Sequence, residues 1–186
     1  MKENNVKNCE SSSWKQKMMC SEGLSAVKDQ NDKWGFIDKS GKLVIPCKWG
    51  GAQWFNEGLA GVRGENGKWG FIDKSGNLVI PCKWKQVFVF CEGRAWVKDE
   101  NDKRGYIDKD GKLVIPCKWK SAMTFHEGLA GVQADKDKWG FIDKSGELVI
   151  PCVWSRVLDY KNGQCSVKEK LDGKWLKIDR NGNRIK

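Results

Sequence analysis

The sequence has little histidine, little proline and no long apolar run. Its 186 residues include one histidine, His126, and four prolines. A single histidine excludes a histidine-rich metal site and leaves little room for histidine-based catalysis. No run approaches the roughly 18 apolar residues that a membrane-spanning helix needs, so we expect no membrane insertion. The first ten residues also lack the apolar centre of a signal peptide, and we therefore expect a cytoplasmic protein.

Positive charge is in excess, but it is spread along the chain. There are 34 Lys and Arg residues against 24 Asp and Glu residues, which gives a formal net charge of +10. Only six of the basic residues are Arg, the residue that grips a phosphate with two parallel hydrogen bonds. The lysines recur at equivalent turn positions instead of forming one patch. Nucleic acid is therefore not an expected partner.

What the sequence does contain is a repeat. The motif Lys-Trp-Gly-Phe-Ile-Asp-Lys-Ser-Gly occurs at residues 33–41, 68–76 and 138–146, with a variant at 103–111 and a degenerate copy at 174–182. The four prolines, beginning with Pro46, are spaced 35 residues apart, and parallel series of Cys, Trp and Glu have the same spacing. Self-similarity at this period identifies a repeat protein.

These series divide the chain without remainder. Residues 1–10 form a polar leader that we expect to be disordered. Residues 11–186 form a single repeat domain with one inserted residue before Lys174. Its five units are 11–45, 46–80, 81–115, 116–150 and 151–186.

Each unit has the pattern of short β-strands joined by tight turns. In the second unit, an apolar segment at 58–62 precedes Asn66-Gly67, a dipeptide typical of a two-residue hairpin turn with both residues at positive φ. After the next strand, residues 73–76 predict a turn in which the Asp side chain bonds the backbone. A third strand, Leu78–Ile80, is expected to end at Pro81, which has no N–H donor. No window shows helical periodicity. We therefore predict an all-β fold with one three-stranded meander in each unit.

Five such units can be arranged in two ways. They can stack as an open, twisted array in which each unit contacts only its neighbours. They can also close into a five-bladed ring that resembles a small propeller. We expect the open array and a monomer, with the closed ring as the alternative.

The repeated motif resembles a known family. Lys-Trp-Gly-Phe-Ile-Asp-x-x-Gly-x-Leu-Val-Ile-Pro-Cys-Lys-Trp, preceded by Glu-Gly-Leu-Ala-x-Val, is similar to the WG repeat, also written KWG repeat, of mainly bacterial proteins. The resemblance covers about 175 of the 186 residues. It implies a β-repeat protein used as an interaction or scaffold module, without catalytic residues. Arg104 replaces the motif Trp and Leu176 replaces the motif Gly, so the third and fifth units are expected to pack differently.

The periodic tryptophans are interpreted as core rather than as exposed binding platforms. Each ring carries on the order of 200 Å² of buriable surface, and ten exposed rings would exceed the apolar patch that a soluble monomer tolerates.

The other periodic series are also interpreted as structural. Gly35 and its equivalents are expected to let a neighbouring strand approach closely. Cys47 and its equivalents are interpreted as small buried residues, with disulfides or a metal site as the alternatives. Asp38 and Glu22, with their equivalents, are expected in turns or at strand edges.

Function is sought where a unit departs from the repeat. In the third unit Arg94 replaces Leu, Trp96 replaces a small residue, Arg104 replaces Trp and Tyr106 replaces Phe. We predict that Trp96 fills the space lost at position 104 and that Arg104 lies against an aromatic ring. Two interpretations stay open for these four residues. One is local repacking, and the other is a protein-binding hot spot, because Trp, Tyr and Arg are enriched at such sites.

A second departure supplies another candidate site. Trp54 and Phe55 form an off-pattern aromatic pair in the connector of the second unit. No nucleophile, base and orienting group recur together, so we expect no catalysis, no cofactor and no metal. The expected function is a non-catalytic module that binds or scaffolds an unidentified protein. The alternative is a carbohydrate- or cell-envelope-binding module, which would need several Trp rings with one face open to solvent.

Overall fold

The chain is an all-β protein in a computed structural model that describes residues 14–185. Five antiparallel sheets, one for each repeat, confirm the predicted fold class and repeat number. Within the described residues no helix has the length and hydropathy needed to cross a bilayer. The predicted leader, residues 1–10, lies outside the described part of the chain.

The strands are numbered in chain order. The first sheet contains β1 (Gln16–Lys17), β2 (Ser25–Lys28), β3 (Trp34–Ile37) and β4 (Leu43–Trp49). The second contains β5 (Gly51–Ala52), β6 (Ala60–Arg63), β7 (Trp69–Ile72) and β8 (Leu78–Trp84). The third contains β9 (Gln86–Val87), β10 (Ala95–Lys98), β11 (Arg104–Ile107) and β12 (Leu113–Trp119). The fourth contains β13 (Ser121–Ala122), β14 (Leu129–Gln133), β15 (Trp139–Asp143) and β16 (Leu148–Trp154). The fifth contains β17 (Arg156–Val157), β18 (Cys165–Lys168), β19 (Leu176–Ile178) and β20 (Arg184–Ile185).

Every sheet is a meander, because its strands are hydrogen-bonded in chain order. The pattern predicts three strands in each unit, and the structure adds a fourth. In the second sheet, Gly51 and Ala52 of β5 pair with Arg63 and Val62 of β6. A strand of two residues is too short for apolar alternation to indicate it, so the sequence placed it in the connector.

The described chain divides into two compact parts. From here on, each of these two parts is called a unit, and the five segments of about 35 residues are called repeats. The first ends at Cys82 and the second begins at Lys83, so the division falls within β8. The first unit holds the first sheet and strands β5, β6 and β7. The second unit holds the third, fourth and fifth sheets.

A two-residue turn precedes the second strand of each sheet. In the first sheet the Ser21 and Leu24 backbones exchange hydrogen bonds of 2.9 and 3.0 Å. Between them Glu22 has a φ of 51° and Gly23 a φ of 90°, the left-handed pair of a type I′ turn. The residues equivalent to Glu22 also have positive φ: Glu57, Glu92, Glu127 and Asn162.

The hairpin loop at Asn66-Gly67 is one residue longer than predicted. At Asn66-Gly67, Gly64 N donates to Lys68 O at 2.9 Å and Gly67 N donates to Gly64 O at 3.1 Å. Three residues therefore lie between the closing pair, and of the dipeptide only Gly67 has positive φ. The predicted two-residue turn at this position is wrong, because backbone pairing ends one residue earlier.

The aspartate series forms turns, as predicted. The Oδ1 atom of Asp38 accepts hydrogen bonds from Ser40 N at 2.9 Å and Lys42 N at 3.0 Å. This arrangement closes the turn on the side chain of its first residue. The same two backbone bonds occur at Asp73, Asp108, Asp143 and Asp179.

A bulge in β4 explains the glycine that follows the motif tryptophan. Trp34 pairs with Trp49 and Phe36 with Ile45, so residues 46–48 lie opposite Gly35 alone. A Cβ on Gly35 would lie 2.5 Å from the Ile45 carbonyl oxygen, which confirms the predicted close approach.

The pattern predicted that the third strand of a repeat would end at its proline. This prediction is wrong, because Pro46 lies inside β4. A proline is accommodated there because β4 is an edge strand and is bulged at that point.

Aromatic rings join successive repeats within each unit. In the first unit Phe55 packs edge-on against Phe36 of the preceding repeat, with ring centroids 4.9 Å apart. The same contact recurs in the second unit at Tyr106–Phe125 and Phe141–Tyr160. The tryptophans at the ends of three fourth strands are at least nine-tenths buried, as predicted for core residues: Trp49, Trp119 and Trp154.

Candidate functional site

The off-pattern residues of the third repeat contact one another. The guanidinium carbon of Arg104 lies 4.3 Å from the centroid of the Trp96 ring, as predicted. Phe88 stacks on the same indole with its ring 5.6 Å away and nearly parallel. Trp96 is only 7% exposed, because these groups cover it. The bulk that position 104 lost is thus restored from the neighbouring strand.

Arg104 also reaches the start of the fourth sheet. Its Nη1 atom donates to Ser121 Oγ at 2.6 Å and to Ala122 O at 3.4 Å. Burial lowers the pKa of Arg104 from its ordinary value, although the side chain keeps these two hydrogen bonds. The charge is therefore used to bind the next repeat instead of facing solvent.

Tyr106 is fully buried. Its hydroxyl donates to Met123 O at 2.7 Å, and its ring packs edge-on against Phe125. Burial raises the pKa of this phenol far above its ordinary value. Tyr106 thus joins the third and fourth repeats with both its ring and its hydroxyl.

The remaining predicted residues differ in accessibility. Arg94 is partly buried, and its Nη1 donates to Gly93 O at 3.2 Å. Phe55 is fully buried against Phe36. Trp54 is 41% exposed and lines a cavity of about 460 Å³ in the first unit with Met18 and Met19.

The burial of Trp96, Tyr106 and Phe55 supports packing as their role. These three side chains present no surface to a partner in this conformation. Trp54 is the most accessible of the six predicted residues. A binding role at these positions stays a prediction.

Exposed aliphatic pairs on the fourth strands of the first, second and fourth sheets were missed by sequence reasoning. In β4, Leu43 and Val44 are 39% and 41% exposed, and β4 lies at the edge of its sheet. Successive side chains of a strand point to opposite faces, so exposure of both residues leaves both faces of this strand end open. The same pair is exposed in β8 and β16, at Leu78, Val79, Leu148 and Val149. The sequence does contain a signal for this exposure, the run of three apolar residues Leu43, Val44 and Ile45. Successive residues of a strand face opposite sides, so the three side chains of such a run cannot all face the same core.

Lysines flank the exposed pair of the first sheet and the equivalent segment of the third. Lys42 and Lys48 bracket the exposed pair of β4, and Lys112 and Lys118 bracket the segment of β12, in whose Leu-Val pair Leu113 alone is exposed. Lys48 Nζ lies 5.0 Å from the centroid of the Trp49 ring, and Lys118 makes the same contact with Trp119. Each lysine therefore covers a core tryptophan while its charge stays at the strand edge.

The glutamate series links successive repeats, beyond its predicted place in a turn. Glu22 Oε2 accepts a hydrogen bond from Gly58 N at 3.1 Å and lies 3.0 Å from Lys74 Nζ. In the second unit Glu92 makes the same bonds to Gly128 N at 2.9 Å and Lys144 at 3.1 Å. We call this arrangement the glutamate latch: a carboxylate of one repeat held by a turn amide and a lysine of the next.

The latch shifts the titration of its carboxylates. Partial burial raises the pKa of Glu22, but hydrogen bonds from Lys74 and Gly58 N outweigh it, and the pKa lies below the ordinary value. The same balance, with Lys144 and Gly128 N, lowers the pKa of Glu92. Both glutamates are therefore held as carboxylates at neutral pH.

The cysteines have the properties of packed side chains. Cys47 and its equivalents are half-buried, and none of the cysteines from Cys20 to Cys165 is in a disulfide. Burial raises the pKa of Cys117 and of Cys165 to about 11. A thiol with so high a pKa is a weak nucleophile at neutral pH. Residues 14–185 contain no group of three His, Cys, Asp or Glu side chains placed to hold a metal ion.

Comparison with known structures supports the sheet architecture. The WD40 β-propeller domain of Doa1 is 10% identical, with a TM-score of 0.50 over 96% of this chain and 69% of that chain. BamB from Moraxella catarrhalis is 7% identical, with a TM-score of 0.49 over 94% of this chain and 58% of that chain. At such low identity the first likeness concerns the fold alone, a succession of four-stranded antiparallel sheets. No curated protein matches the sequence.

Comparison with protein families gives a match over most of the chain. A family described as "WG containing repeat" matches residues 34–69, 69–103, 105–138 and 139–175. The matched segments contain the glycine beneath the bulge and the aspartate turn of the first four sheets, and three of the segments begin at the motif tryptophan. The chain therefore belongs to the WG-containing repeat family.

Proposed function

We propose that this chain is a non-catalytic repeat module that binds another protein along its outer edge strands. The observation that carries the proposal is the exposed Leu-Val pair, which recurs at the same place on the edge strands β4, β8 and β16. An edge strand has unpaired backbone donors and acceptors, so an extended segment can add to it as a further strand. The alternate side chains of that segment would then contact the exposed Leu and Val.

The flanking charges specify the kind of segment. Lys42 and Lys48 lie on either side of the exposed pair in β4, in a chain with a net charge of +10. We therefore propose an extended segment with aliphatic residues inside and acidic residues at its ends. Pro46 has no N–H, so the added strand would pair only with the part of β4 that precedes it. The same proline limits pairing between copies of this chain.

The burial of the tryptophan series favours protein binding over the carbohydrate alternative. Sugar-binding modules use aromatic rings with one open face, whereas Trp49, Trp119 and Trp154 are covered. Among the described tryptophans, exposure above two-fifths is found at Trp54 and Trp175. The raised thiol pKa values at Cys117 and Cys165 favour a non-catalytic role.

Selection from a random peptide library tests the proposal. We expect wild-type protein to enrich peptides with alternating aliphatic residues and terminal Asp or Glu, at micromolar affinity. N-methylation of alternate peptide amides should abolish binding, because strand addition needs those donors. An edge-strand variant with Leu43→Thr, Val44→Thr, Leu78→Thr, Val79→Thr, Leu148→Thr and Val149→Thr should lose the enrichment.

The control variant removes exposed leucines outside the edge strands. Leu158 and Leu171 are 49% and 66% exposed, so Leu158→Thr with Leu171→Thr alters apolar surface elsewhere. This variant should bind like wild type. Equal loss in both variants, or retention in the edge-strand variant, would refute the proposal.

A further inference from the structure

In the glutamate latch, a turn amide and a lysine of one repeat bind a carboxylate of the preceding repeat. We call this amide and lysine the receiving half of the latch. In the second repeat a carboxylate is held by Gly58 N, within a type I′ turn, and by Lys74, within the following aspartate turn. The fourth repeat uses Gly128 N and Lys144 in the same way. In the fifth repeat Gly163 N and Asn162 N bind Glu127 at 2.8 and 2.6 Å. Three repeats thus bind a carboxylate with the same turn amide.

The first repeat has the same receiving half. Gly23 lies in its type I′ turn with a φ of 90°, and Lys39 follows Asp38 in its aspartate turn. Within the described part of the first unit, residues 14–82, no carboxylate is bonded to Gly23 N or to Lys39 Nζ. Lys39 is exposed. The Oδ1 atom of the nearby Asp38 accepts hydrogen bonds from the backbone of its own turn.

A cavity of about 440 Å³ adjoins this lysine. Met18 and Met19 line it together with Lys17, Ser25, Asp38 and Lys39. The same two methionines, with Trp54, line the neighbouring cavity of about 460 Å³. Met19 is 90% exposed and Trp54 is 41% exposed, so these side chains are open to a partner. A cation therefore lies beside accessible apolar side chains on one surface of the first repeat.

We propose that Gly23 N and Lys39 bind a carboxylate side chain of a partner protein, with a neighbouring aliphatic residue of that partner seated against Met19 and Trp54. The inference rests on the proposed protein-binding function and names one recognition site for it. It is supported by charge complementarity and by three carboxylates already bound to equivalent amides in the same molecule. The ligand that fits this surface is an acidic, aliphatic peptide. The segment proposed to bind the edge strands has the same chemistry, but it would bind at a separate position.

A peptide titration followed by the Gly23 amide resonance tests the site. The probe is acetyl-Leu-Glu-Leu-amide, and acetyl-Leu-Gln-Leu-amide is its control. We expect the glutamate peptide to bind with a dissociation constant on the order of 1 mM, because one exposed charged contact and one small apolar contact contribute little. Its carboxylate should shift the Gly23 amide proton downfield, and the glutamine peptide should bind several-fold more weakly.

Two lysine variants separate a built site from general attraction. Lys39→Met should weaken binding about fivefold to tenfold, whereas Lys136→Met, which removes the same charge from an exposed turn of the fourth repeat, should have little effect. Equal effects of the two variants, or an unmoved Gly23 resonance, would overturn the inference. If Glu10→Gln shifts the Gly23 amide in the absence of peptide, the chain's own residues fill the site and the proposed partner is wrong.

The edge-strand variant distinguishes this inference from the proposed function. The edge-strand variant, in which all three exposed Leu-Val pairs are replaced by Thr, keeps Gly23 and Lys39, so it should bind the tripeptide as wild type does. If the Gly23 amide resonance does not respond to the tripeptide while wild-type protein still enriches library peptides, the Gly23 site is refuted and binding at the edge strands is retained. Lost enrichment together with a responsive Gly23 would refute edge binding alone.

Discussion

At the scale of single residues, the repeat depends on a side chain that is missing. Gly35 lies beneath the bulge of β4, where a Cβ would be 2.5 Å from Ile45 O and 2.8 Å from Cys47 N. Both contacts are with backbone, which cannot turn aside as a flexible side chain does. Trp34, Gly35 and the Pro-Cys pair of β4 are therefore parts of one structural feature, although the sequence shows them ten residues apart.

Replacing this glycine should be strongly destabilising. We expect Gly35→Ala to lower the free energy of unfolding by about 2–4 kcal/mol, because the bulge must move to admit a methyl group. Gly50→Ala is the matched control, since a Cβ there would first meet Arg63 Nε at 3.4 Å, an ordinary contact. Urea unfolding of both variants measures the difference. Similar stability of the two would show that the bulge yields easily.

Trp96 and Arg104 should be energetically coupled. We expect Trp96→Ala to cost about 3–5 kcal/mol, because it empties a buried indole site. Arg104→Ala alone should cost less, and the double variant should reveal a coupling of about 0.5–2 kcal/mol from the contact of the cation with the ring. A double-mutant cycle in urea measures this value. Additive effects would mean that the 4.3 Å contact contributes nothing.

At the scale of elements, the turns carry the contacts between repeats. A glutamate in a left-handed conformation is unfavourable by itself, and Glu22 adopts one with a φ of 51°. That conformation belongs to a turn from which its carboxylate reaches Gly58 N and Lys74 of the next repeat. We infer that the latch offsets the backbone strain. The sequence placed Glu22 in a turn but did not reveal the latch, since its partners lie about one repeat or more further along the chain.

The latch should make stability depend on pH in the acid range. Glu22 and Glu92 have pKa values below their ordinary value of 4.5, so each contributes stability that is fully present above that pH. The contribution is lost as the pH falls through the lower, folded-state pKa. We expect Glu22→Gln with Glu92→Gln to be less stable than wild type at pH 7 and to converge with it below about pH 4. Urea midpoints measured from pH 7 to pH 3 test this.

The control for the pH series is an exposed glutamate outside the latch. Glu147 is exposed in an aspartate turn of the fourth repeat. Glu147→Gln should follow the wild-type curve at every pH. A pH-independent gap between wild type and the double variant would contradict the assignment of the acid transition to the latch.

At the scale of the whole molecule, contacts between aromatic rings hold successive repeats together inside each compact unit. In the second unit Tyr160 covers Phe141 at 4.9 Å, and Glu127 is bonded to the turn of the fifth repeat. The fifth repeat has Lys177 where its predecessor has Phe141. A lysine therefore stands in the fifth repeat where the fourth repeat presents an aromatic ring to its successor.

Removing the fifth repeat should expose the core of the second unit. A chain that ends at Trp154 lacks Tyr160 and leaves Phe141 and Ile150 without their cover. We expect this variant to bind an apolar fluorescent dye and to form soluble aggregates, whereas the full chain should not. Adding Phe141→Lys, which imitates position 177, should reduce both effects. Unchanged dye binding in the shortened chain would show that the fifth repeat is not needed as a cover.

The sequence by itself determined the all-β class, the five repeats, the aspartate turns and the need for glycine at position 35. These follow from local chemistry repeated at a constant spacing, because each depends on residues within one repeat. The sequence also predicted a buried tryptophan series, which is correct for Trp49, Trp119 and Trp154 and wrong for Trp175, which is 46% exposed. Tertiary structure alone decided that Pro46 lies in a bulged edge strand, that the exposed Leu-Val pairs lie outside the core, and that Glu22 bonds the following repeat. The physical reason is that exposure and contact between repeats depend on how one sheet packs against the next, and periodicity within a single repeat carries no record of that packing.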